Sequence, residues 1–594
     1  MLQLDKERTV PADERHSADP FDGVADFIDR AAGAGLAKAS AGISPVSLAL
    51  AYGDWALHLA MSPGKRTQLA AKAARMAVCF ARYAASALAD PARVEPCITP
   101  LPQDRRFRDP AWQALPFSLW QQSFLLTQQW WDAAMRDVGG VEAHHERVVA
   151  FATRQLLDML APSNFVLTSP VIQQRITETC GTCLIDGAQQ WLDDIDHALR
   201  RLPPAGAKQF RPGHEVAVTP GRIVYHNKLI ELIQYIPTTK KVRPEPVLIV
   251  PAWIMKYYIL DLSPANSLVR WLVAQGYSVF MISWRNPSAD LRDLGMDDYR
   301  RLGPIAALDA IQAITGAAKV HATGYCLGGT LLAIAAAALA RGGDNRLASL
   351  SLFAAQTDFT EAGELELFID SAQLQLLESL MWAQGYLGAR QMAGTFQMLR
   401  SNDMLWSRLT HQYLMGEQPP MTDMMAWNAD GTRMPAAMHS QYLRELFLDN
   451  DLAEGRYRVD DRVISLNDLH VPMFALGAER DYIAPWRSVH KLHLLSNAEL
   501  SFVLTGGGHN AGIVAPPGRP DHGYRLLTRP AGGVYLDPDD WLDQATRHED
   551  SWWLAWKNWL DCRSSTPVAP PPIGKPASAY APGGEAPGKY VLEP

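Results

Sequence analysis

A cysteine set between two glycines stands out as a candidate nucleophile. The stretch KVHATGYCLGGTLLAIAAAALAR places Cys326 after a β-branched run and before a helix rich in Ala and Leu. Gly324 and Gly328 fit a sharp strand-to-helix turn in which larger side chains would collide with the helix. Such a turn puts the sulfur at the helix N-terminus, which favours the thiolate, and directs the Leu327 N–H at a developing oxyanion. The motif predicts a nucleophile; a close-packed turn around a small buried cysteine is the alternative.

A nucleophile on such a turn needs a histidine and an acid from later strand ends. The apolar run PMFALG is followed by AERDY, and LSFVL is followed by TGGGHN. Cys326, Asp481 and His509 therefore occur in the order nucleophile, acid, histidine that this architecture requires. His509 would accept the thiol proton, and Asp481 would hold the imidazole tautomer. Glu479 is a competing acid, because strand ends shift by a residue or two.

Short apolar runs after about Pro203 predict the strands that position these residues. The predicted strands are Pro246–Pro251, Tyr277–Trp284, Lys319–Tyr325, Leu347–Ala354, Pro472–Gly477 and Leu500–Leu504. Helices fill several gaps, for example Ser267–Gln275 and Gly328–Arg341. Continuously apolar strands that alternate with helices indicate an α/β protein with a mostly parallel sheet buried on both faces.

The pattern along the chain predicts five segments. Residues 1–20 form a flexible polar arm, and residues 21–202 form an all-α N-terminal domain with apolar residues at three- and four-residue spacing. Residues 203–563 form the catalytic domain. Within it, residues 360–451 are a helical cap insertion over one end of the sheet, because they separate two predicted strands too widely for a simple loop. The Pro/Gly-rich tail, 564–594, is extended or disordered.

Composition and charge narrow the partners. The chain has 594 residues, 55 of them basic and 63 acidic, with a net charge of −8. This balance gives no basic footprint for nucleic acid. The N-terminus has no apolar signal segment, and the most apolar early stretch, 46–61, is too short for a transmembrane span, so we expect a soluble cytosolic protein.

The six cysteines are sparse and irregularly spaced, which predicts no disulfide framework. Cys180 and Cys183 form a C-x-x-C pair, but no second pair lies nearby. The sequence around them indicates one helix carrying two thiols rather than a redox or zinc site. No metal site is predicted.

Longer motifs around these residues strongly resemble those of one enzyme family. They are GYCLGG, VPAWIMKYYILDLSPANSLVRWLVAQGYSVFMISWRNP, DYIAPW, GGGHNAG, RRFRDPAWQALPF, PSNFVLTSP, WNADGTRMPAAMHSQYLRELF, SWWLAWKNWL and APGKYV. Together, from about Ile43 to Tyr590, they resemble the polyhydroxyalkanoate (poly-β-hydroxybutyrate) synthases of class I-like length, which have the α/β-hydrolase fold. The sequence leaves open class I or class II, and hence the preferred acyl chain length.

The resemblance implies a reaction and its participants. Cys326 would carry the acyl group with Asp481 and His509 as its partners. The implied reaction polymerises (R)-3-hydroxyacyl-CoA, with 3-hydroxybutyryl-CoA as the expected substrate, and releases CoA. No cofactor is implied, since the CoA thioester is the substrate. The other expected partners are the growing polyester, the surface of cytoplasmic granules and a second copy of the chain in a homodimer.

Several points stay open at the level of sequence. The loop after Pro246–Pro251 departs from the family pattern at Ala252 and Met255; its expected oxyanion donor is Trp253. Lys256 and Arg285 follow strand ends, where they would meet CoA phosphates or lie at the surface. The Met-rich part of the insertion favours ordinary core over an acyl channel. The alternative functions are a thioesterase or depolymerase with the same triad, and a non-catalytic granule-surface protein.

Overall fold

A computed structural model describes residues 20–90, 94–399, 405–519 and 522–594. The predicted polar arm lies outside the described residues except for its last residue, Pro20, which begins the first helix. None of the helices in the described part of the chain combines the length and apolar character that a bilayer span requires.

A ten-stranded mixed sheet forms the centre of the molecule. Its strands are β1 Gly221–His226, β2 Ile230–Tyr235, β3 Val247–Val250, β4 Val279–Trp284, β5 Val320–Tyr325, β6 Leu347–Phe353, β7 Met473–Ala478, β8 Leu500–Thr505, β9 Gly523–Arg529 and β10 Thr546–Glu549. Their spatial order is β1-β2-β4-β3-β5-β6-β7-β8-β9-β10. In this order, the six central strands β4, β3, β5, β6, β7 and β8 are mutually parallel. The two strands at each edge, β1 and β2 on one side and β9 and β10 on the other, pair antiparallel with their neighbours.

The six parallel strands are the six that the apolar runs predict, within two residues at each end. The four edge strands were not predicted. β1, β9 and β10 are partly exposed to solvent and contain polar residues. They therefore lack the continuous apolar run by which the central strands are recognised. β2 is fully buried but contains Glu231 and Gln234, whose side chains are paired with the C-terminal tail.

Helices cover both faces of the sheet, which is why its central strands are apolar on both sides. They are α8 Leu268–Ala274, α9 Met296–Arg300, α10 Ala306–Thr315, α11 Leu327–Arg341, α16 Trp486–His490, α17 Leu492–Leu495, α18 Pro538–Gln544 and α19 Trp552–Asp561 in this part of the chain. α11 is buried over nearly its whole length, because its small side chains let it lie directly on the sheet.

Seven α-helices precede the sheet in the part of the chain that the structure describes. They are α1 Pro20–Ala39, α2 Pro45–Ala60, α3 Pro63–Ala89, α4 Phe117–Met135, α5 Ala143–Met159, α6 Pro170–Glu178 and α7 Thr182–Leu199. The interpretation of one helix through Cys180 and Cys183 is wrong. Gly181 has φ +82°, so the chain turns there and separates α6 from α7.

One cysteine pair departs from the expected absence of disulfides. Cys79 on α3 is bonded to Cys97 in the segment that follows this helix. Their spacing gave no signal, because the bond depends on the chain folding back after α3. The other four cysteines are free.

The insertion between β6 and β7 is helical, as its composition predicts. It contains α12 Ser371–Gln384, α13 Ala389–Leu399, α14 Asp423–Asn428, α15 Ala436–Gln441 and π-helical turns at Leu409–Leu414 and Tyr442–Leu448. We call this segment the cap. The N-terminal helices contact it at several places. α1 packs along α12, and the Asp194 carboxylate on α7 accepts hydrogen bonds from Arg408, Gln412 and Tyr413.

The tail after Ser564 has little regular structure, as predicted, but it is not loose. Val568 pairs with Val242, and Gly583 and Ala586 donate backbone hydrogen bonds to β1. The buried Glu231 carboxylate accepts the N–H groups of Lys589 and Tyr590 at 2.8 and 3.0 Å. The tail therefore lies along the β1–β2 edge of the sheet and ends beside β4.

Candidate active site

Cys326 occupies a strained turn between β5 and α11. Its φ is +52°, a conformation that side chains rarely adopt. A Cβ on Gly328 would lie 2.2 Å from the Val250 carbonyl oxygen, and one on Gly324 would lie 2.4 Å from the Gly329 Cα. Both glycines are thus required by close backbone approach, as the motif predicts. The turn exposes Cys326 to a cavity beneath the cap.

His509 joins Cys326 to Asp481. The imidazole Nδ1 lies 2.7 Å from the Asp481 Oδ2, and a hydrogen bond connects the ring to the Cys326 side chain. Because Nδ1 faces the carboxylate, Nε2 is the nitrogen that faces the sulfur. The structure therefore brings together Cys326, Asp481 and His509, which come from three separate strand ends.

The carboxylate next to His509 is that of Asp481, not of Glu479. Asp481 is completely buried, and its Oδ1 accepts the N–H groups of Ile483 and Ala484, both at 2.9 Å. Glu479 is exposed to solvent. The turn after β7 thus holds the Asp481 carboxylate with one oxygen on the backbone and one on the imidazole.

The environment of His509 favours its protonated form. Burial lowers the pKa of the imidazole, but the charges of Asp481 and Cys326 and the hydrogen bonds to both oppose burial, and the net pKa stands well above its ordinary value. The protonated ring is stabilised by Asp481 on one side and by Cys326 on the other. Such an arrangement can store the thiol proton and return it to a leaving group.

Two residues that sequence reasoning missed support the imidazole. The Tyr325 hydroxyl donates a 2.6 Å hydrogen bond to the Asn510 Oδ1, and its ring lies 5.6 Å from the His509 ring. Burial raises the pKa of Tyr325 far above its ordinary value, and the nearby charges of Cys326 and Asp481 add to this, so its hydroxyl stays protonated. Both residues are adjacent in sequence to predicted site residues, in the motifs GYC and GHN. This adjacency is the sequence feature that could have identified them.

The two expected oxyanion donors differ in position. Leu327 begins α11 and lines the cavity beside Cys326. The Trp253 side chain packs away from the cavity against Trp284 and Tyr299, and its carbonyl oxygen accepts the Thr432 hydroxyl at 2.5 Å. Its neighbours Ala252 and Ile254 do line the cavity. The loop after β3 is therefore in place for a second donor, and the identity of that donor stays a prediction.

The cavity has a volume of about 1090 Å³ and is mostly apolar. Its cap lining comprises Leu365, Ile369, Ala389, Met392, Met421, Met425, Trp427, Met434, Tyr442, Leu443 and Phe447, among others. Met421 and Met425 belong to the stretch whose composition favours ordinary core, but they line the cavity and are not part of the core. Trp427 is buried in the core as that interpretation expects, and it also contributes to the cavity wall. The α7 residue Asp194 and the following Pro204 and Ala205 complete one wall.

Metal chemistry has no candidate in the described ranges. No group of three or more His, Cys, Asp or Glu residues there could hold a metal ion. His509 and Asp481 face each other and the sulfur instead.

Comparison with known proteins agrees with this geometry. Residues 103–272 match the family described as poly-beta-hydroxybutyrate polymerase (PhaC) N-terminus, and residues 23–65 match the poly-beta-hydroxybutyrate polymerase N-terminal family. Residues 245–516 match the alpha/beta hydrolase fold.

Whole-chain relatives decide the family. A poly(3-hydroxyalkanoate) polymerase of Methylorubrum extorquens is 41% identical over 502 residues, which cover 84% of this chain and 82% of that protein. The poly(3-hydroxyalkanoate) polymerase subunit PhaC of Rhizobium meliloti is 37% identical, over 86% of this chain and 82% of its own. That of Cupriavidus necator is 34% identical, over 82% and 83%. The chain belongs to the poly(3-hydroxyalkanoate) polymerase family.

Membership in the poly(3-hydroxyalkanoate) polymerase family confirms the predicted resemblance and the α/β-hydrolase fold. It also makes the chain an enzyme of the acyltransferase type. The match to the alpha/beta hydrolase fold covers the strand-to-helix turn of Cys326 as well as Asp481 and His509. The polymerase N-terminal matches cover helices that border the cap.

Proposed function

We propose that the chain polymerises (R)-3-hydroxyacyl-CoA, with 3-hydroxybutyryl-CoA as its substrate, into polyester with release of CoA, through covalent thioesters on Cys326. The observation that carries the proposal is the hydrogen-bonded series Cys326, His509 and Asp481 at the floor of a large apolar cavity. Cysteine, histidine and carboxylate in this series form an activated nucleophile.

The first step transfers an acyl group to sulfur. The Cys326 thiolate attacks the carbonyl carbon of the CoA thioester, and the Leu327 N–H and a main-chain N–H of the loop after β3 stabilise the oxyanion. The bond between the carbonyl carbon and the CoA sulfur then breaks. The protonated imidazole of His509 gives its proton to the departing CoA thiolate. One thioester replaces another, so this step is close to thermoneutral.

The second step forms the ester. A hydroxyl group, from a second substrate or from a growing chain, attacks the acyl carbon on Cys326 while His509 takes the hydroxyl proton. The carbon–sulfur bond breaks, an oxygen ester forms and the Cys326 thiolate is restored beside the imidazolium. Conversion of a thioester to an oxygen ester is downhill, so polymerisation is driven at this step.

The cap would limit the access of water to the acyl group. Met, Leu and aromatic side chains of the cap line part of the cavity above Cys326, and an apolar lining disfavours water beside the thioester. The same lining suits a polyester chain, which carries methyl groups and esters but no charge. The enzyme works without a cofactor in this proposal, as a homodimer at the surface of cytoplasmic granules, in keeping with the family resemblance.

Purified protein supplied with 3-hydroxybutyryl-CoA tests the proposal. We expect release of free CoA thiol together with insoluble polyester. Cys326→Ala abolishes both, whereas Cys562→Ala, which removes an exposed free thiol that does not line the cavity, leaves both unchanged. Thiol release with free 3-hydroxybutyrate and no polymer would instead establish a thioesterase. If no thiol is released at all, the remaining alternative is a non-catalytic granule-surface protein.

A further inference from the structure

Three cations from separate parts of the chain meet the last two residues of the tail. Lys256 lies in the loop after β3, Arg285 directly follows β4, and Arg433 belongs to the cap. We call them the cation cluster. Lys256 is only 3% exposed and lines the same cavity as Cys326. A buried ammonium group requires anionic or polar oxygen around it.

Oxygen atoms of Glu593 and Pro594 meet that requirement. The Lys256 Nζ donates a 2.5 Å hydrogen bond to the backbone oxygen of Glu593, and Arg285 pairs with the Glu593 carboxylate at 3.3 Å. The backbone oxygen of Pro594 accepts hydrogen bonds from the Asn286 Nδ2 at 2.6 Å and from the Arg433 Nη2 at 2.8 Å. Four donors therefore converge on a few oxygen atoms, which is how proteins hold a phosphate group.

Acids around the cluster balance only part of its charge. Asp430 attracts the Lys256 ammonium but is hydrogen-bonded to the Tyr258 hydroxyl at 2.8 Å. Asp290 pairs with Arg285 at 3.3 Å. Glu593, which is about one-third exposed, supplies the remaining negative charge.

The two residues can leave the cluster without unfolding the tail. The anchor lies just before them, where Glu231 holds Lys589 and Tyr590 and where Val591 is buried. Leu592, between anchor and cluster, is 60% exposed. Release of Glu593 and Pro594 breaks the hydrogen bonds and the ion pair that hold them, and an incoming anion would replace these contacts.

We propose that the cation cluster and Asn286 form the subsite for the phosphate groups of the CoA substrate, and that Glu593 and Pro594 occupy this subsite until the substrate displaces them. The proposal rests on the proposed function, because the anion is part of that substrate. It assigns Lys256, Arg285, Asn286 and Arg433 to substrate recognition, and it makes the end of the tail a competitor of the CoA thioester.

A pair of thioesters with the same reacting end tests this subsite. 3-Hydroxybutyryl-CoA carries the phosphates, whereas 3-hydroxybutyryl-pantetheine has the same thioester arm without them. For Arg433→Met we expect KM for the CoA thioester to rise about tenfold, the size of one lost charge-assisted hydrogen bond, with kcat and the KM for the pantetheine thioester unchanged. Arg433→Lys, which keeps the charge, recovers part of the loss.

Removal of residues 593–594 should change KM for the CoA thioester in the opposite direction. Without the competitor, KM for the CoA thioester falls and KM for the pantetheine thioester does not change. Equal changes in KM for both thioesters in either variant, or no change in KM, would overturn the proposal. The contacts of Glu593 and Pro594 would then serve only the stability of the fold. Dephospho-CoA thioester identifies whether the diphosphate or the 3′-phosphate is bound. Failure of the proposed function is distinct: the unaltered enzyme would then form polyester from neither thioester.

Discussion

His509 lies between two groups that each favour a proton on its ring. The Asp481 carboxylate is completely buried and fixed by two backbone N–H groups, so it cannot turn toward solvent. Cys326 lies on the opposite side of the ring. In a buried setting these charges act with little screening, which is why they outweigh the cost of burying an imidazolium.

Asp481→Asn tests the role of this carboxylate. The amide oxygen of Asn replaces Oδ1 toward the Ile483 and Ala484 N–H groups, so the amide NH₂ faces His509 Nδ1. This fixes the proton on Nε2, where the ring cannot accept the thiol proton, and it removes the charge that raises the imidazole pKa. We expect kcat to fall by about a hundredfold or more, measured as CoA release.

Glu479→Gln is the matched control, because it changes the neighbouring exposed carboxylate in the same way. It should retain the activity of the unaltered enzyme. Equal losses in the two variants, or full activity in Asp481→Asn, would contradict the assignment of Asp481.

At this scale the sequence predicts the nucleophile, the acid and the histidine, because each follows a strand whose apolar run is easy to recognise. It left Glu479 and Asp481 as alternatives, since one or two residues at a strand end decide which side chain points inward. Lys256 could not be assigned either. Its partner Glu593 is 337 positions away, and no local pattern reports such a contact.

At the scale of elements, the turn between β5 and α11 depends on backbone contact. The Val250 and Pro251 carbonyl oxygens lie where a Cβ on Gly328 would be, at 2.2 and 2.4 Å. The loop after β3 and the start of α11 therefore share one packing surface. Any atom added there moves the Leu327 N–H relative to the loop.

Gly328→Ala tests this close approach. We expect a loss of stability of about 1–3 kcal/mol, as for other overpacked sites, and a larger loss of kcat because the oxyanion donors separate. Urea unfolding and CoA release measure the two effects. Gly342→Ala, at the other end of α11, is the control, since its Cβ meets only ordinary 3.4 Å contacts. Unchanged kcat in Gly328→Ala would show that the turn does not position the donors.

Periodicity predicts elements best where burial is uniform. The six central strands are apolar on both faces and are predicted within two residues, whereas the four edge strands contain more polar residues and are not predicted. The break between α6 and α7 was also missed, because Gly181 acts through one backbone conformation inside a continuous helical pattern.

At the scale of the whole molecule, the cap is held from several directions. α1 packs on α12, Phe151 on α5 contacts Phe368, and Asp194 on α7 binds the π-helical turn Leu409–Leu414. The tail reaches the cap along the β1–β2 edge of the sheet, where the Pro594 backbone oxygen accepts a hydrogen bond from Arg433. The sequence predicts each of these segments separately, but their meeting over Cys326 depends on tertiary packing that no segment encodes alone.

The cavity over Cys326 leads to the central claim, that acyl groups are carried on this residue. The most direct measurement uses butyryl-CoA, which can acylate the thiol but lacks the 3-hydroxyl needed for extension. After rapid mixing, acid quench and digestion, mass spectrometry should find one butyryl group on the peptide with Cys326 and none on the peptides with Cys180 or Cys562. Stoichiometric CoA release with an unmodified Cys326, or a butyryl group on another residue, would contradict the account.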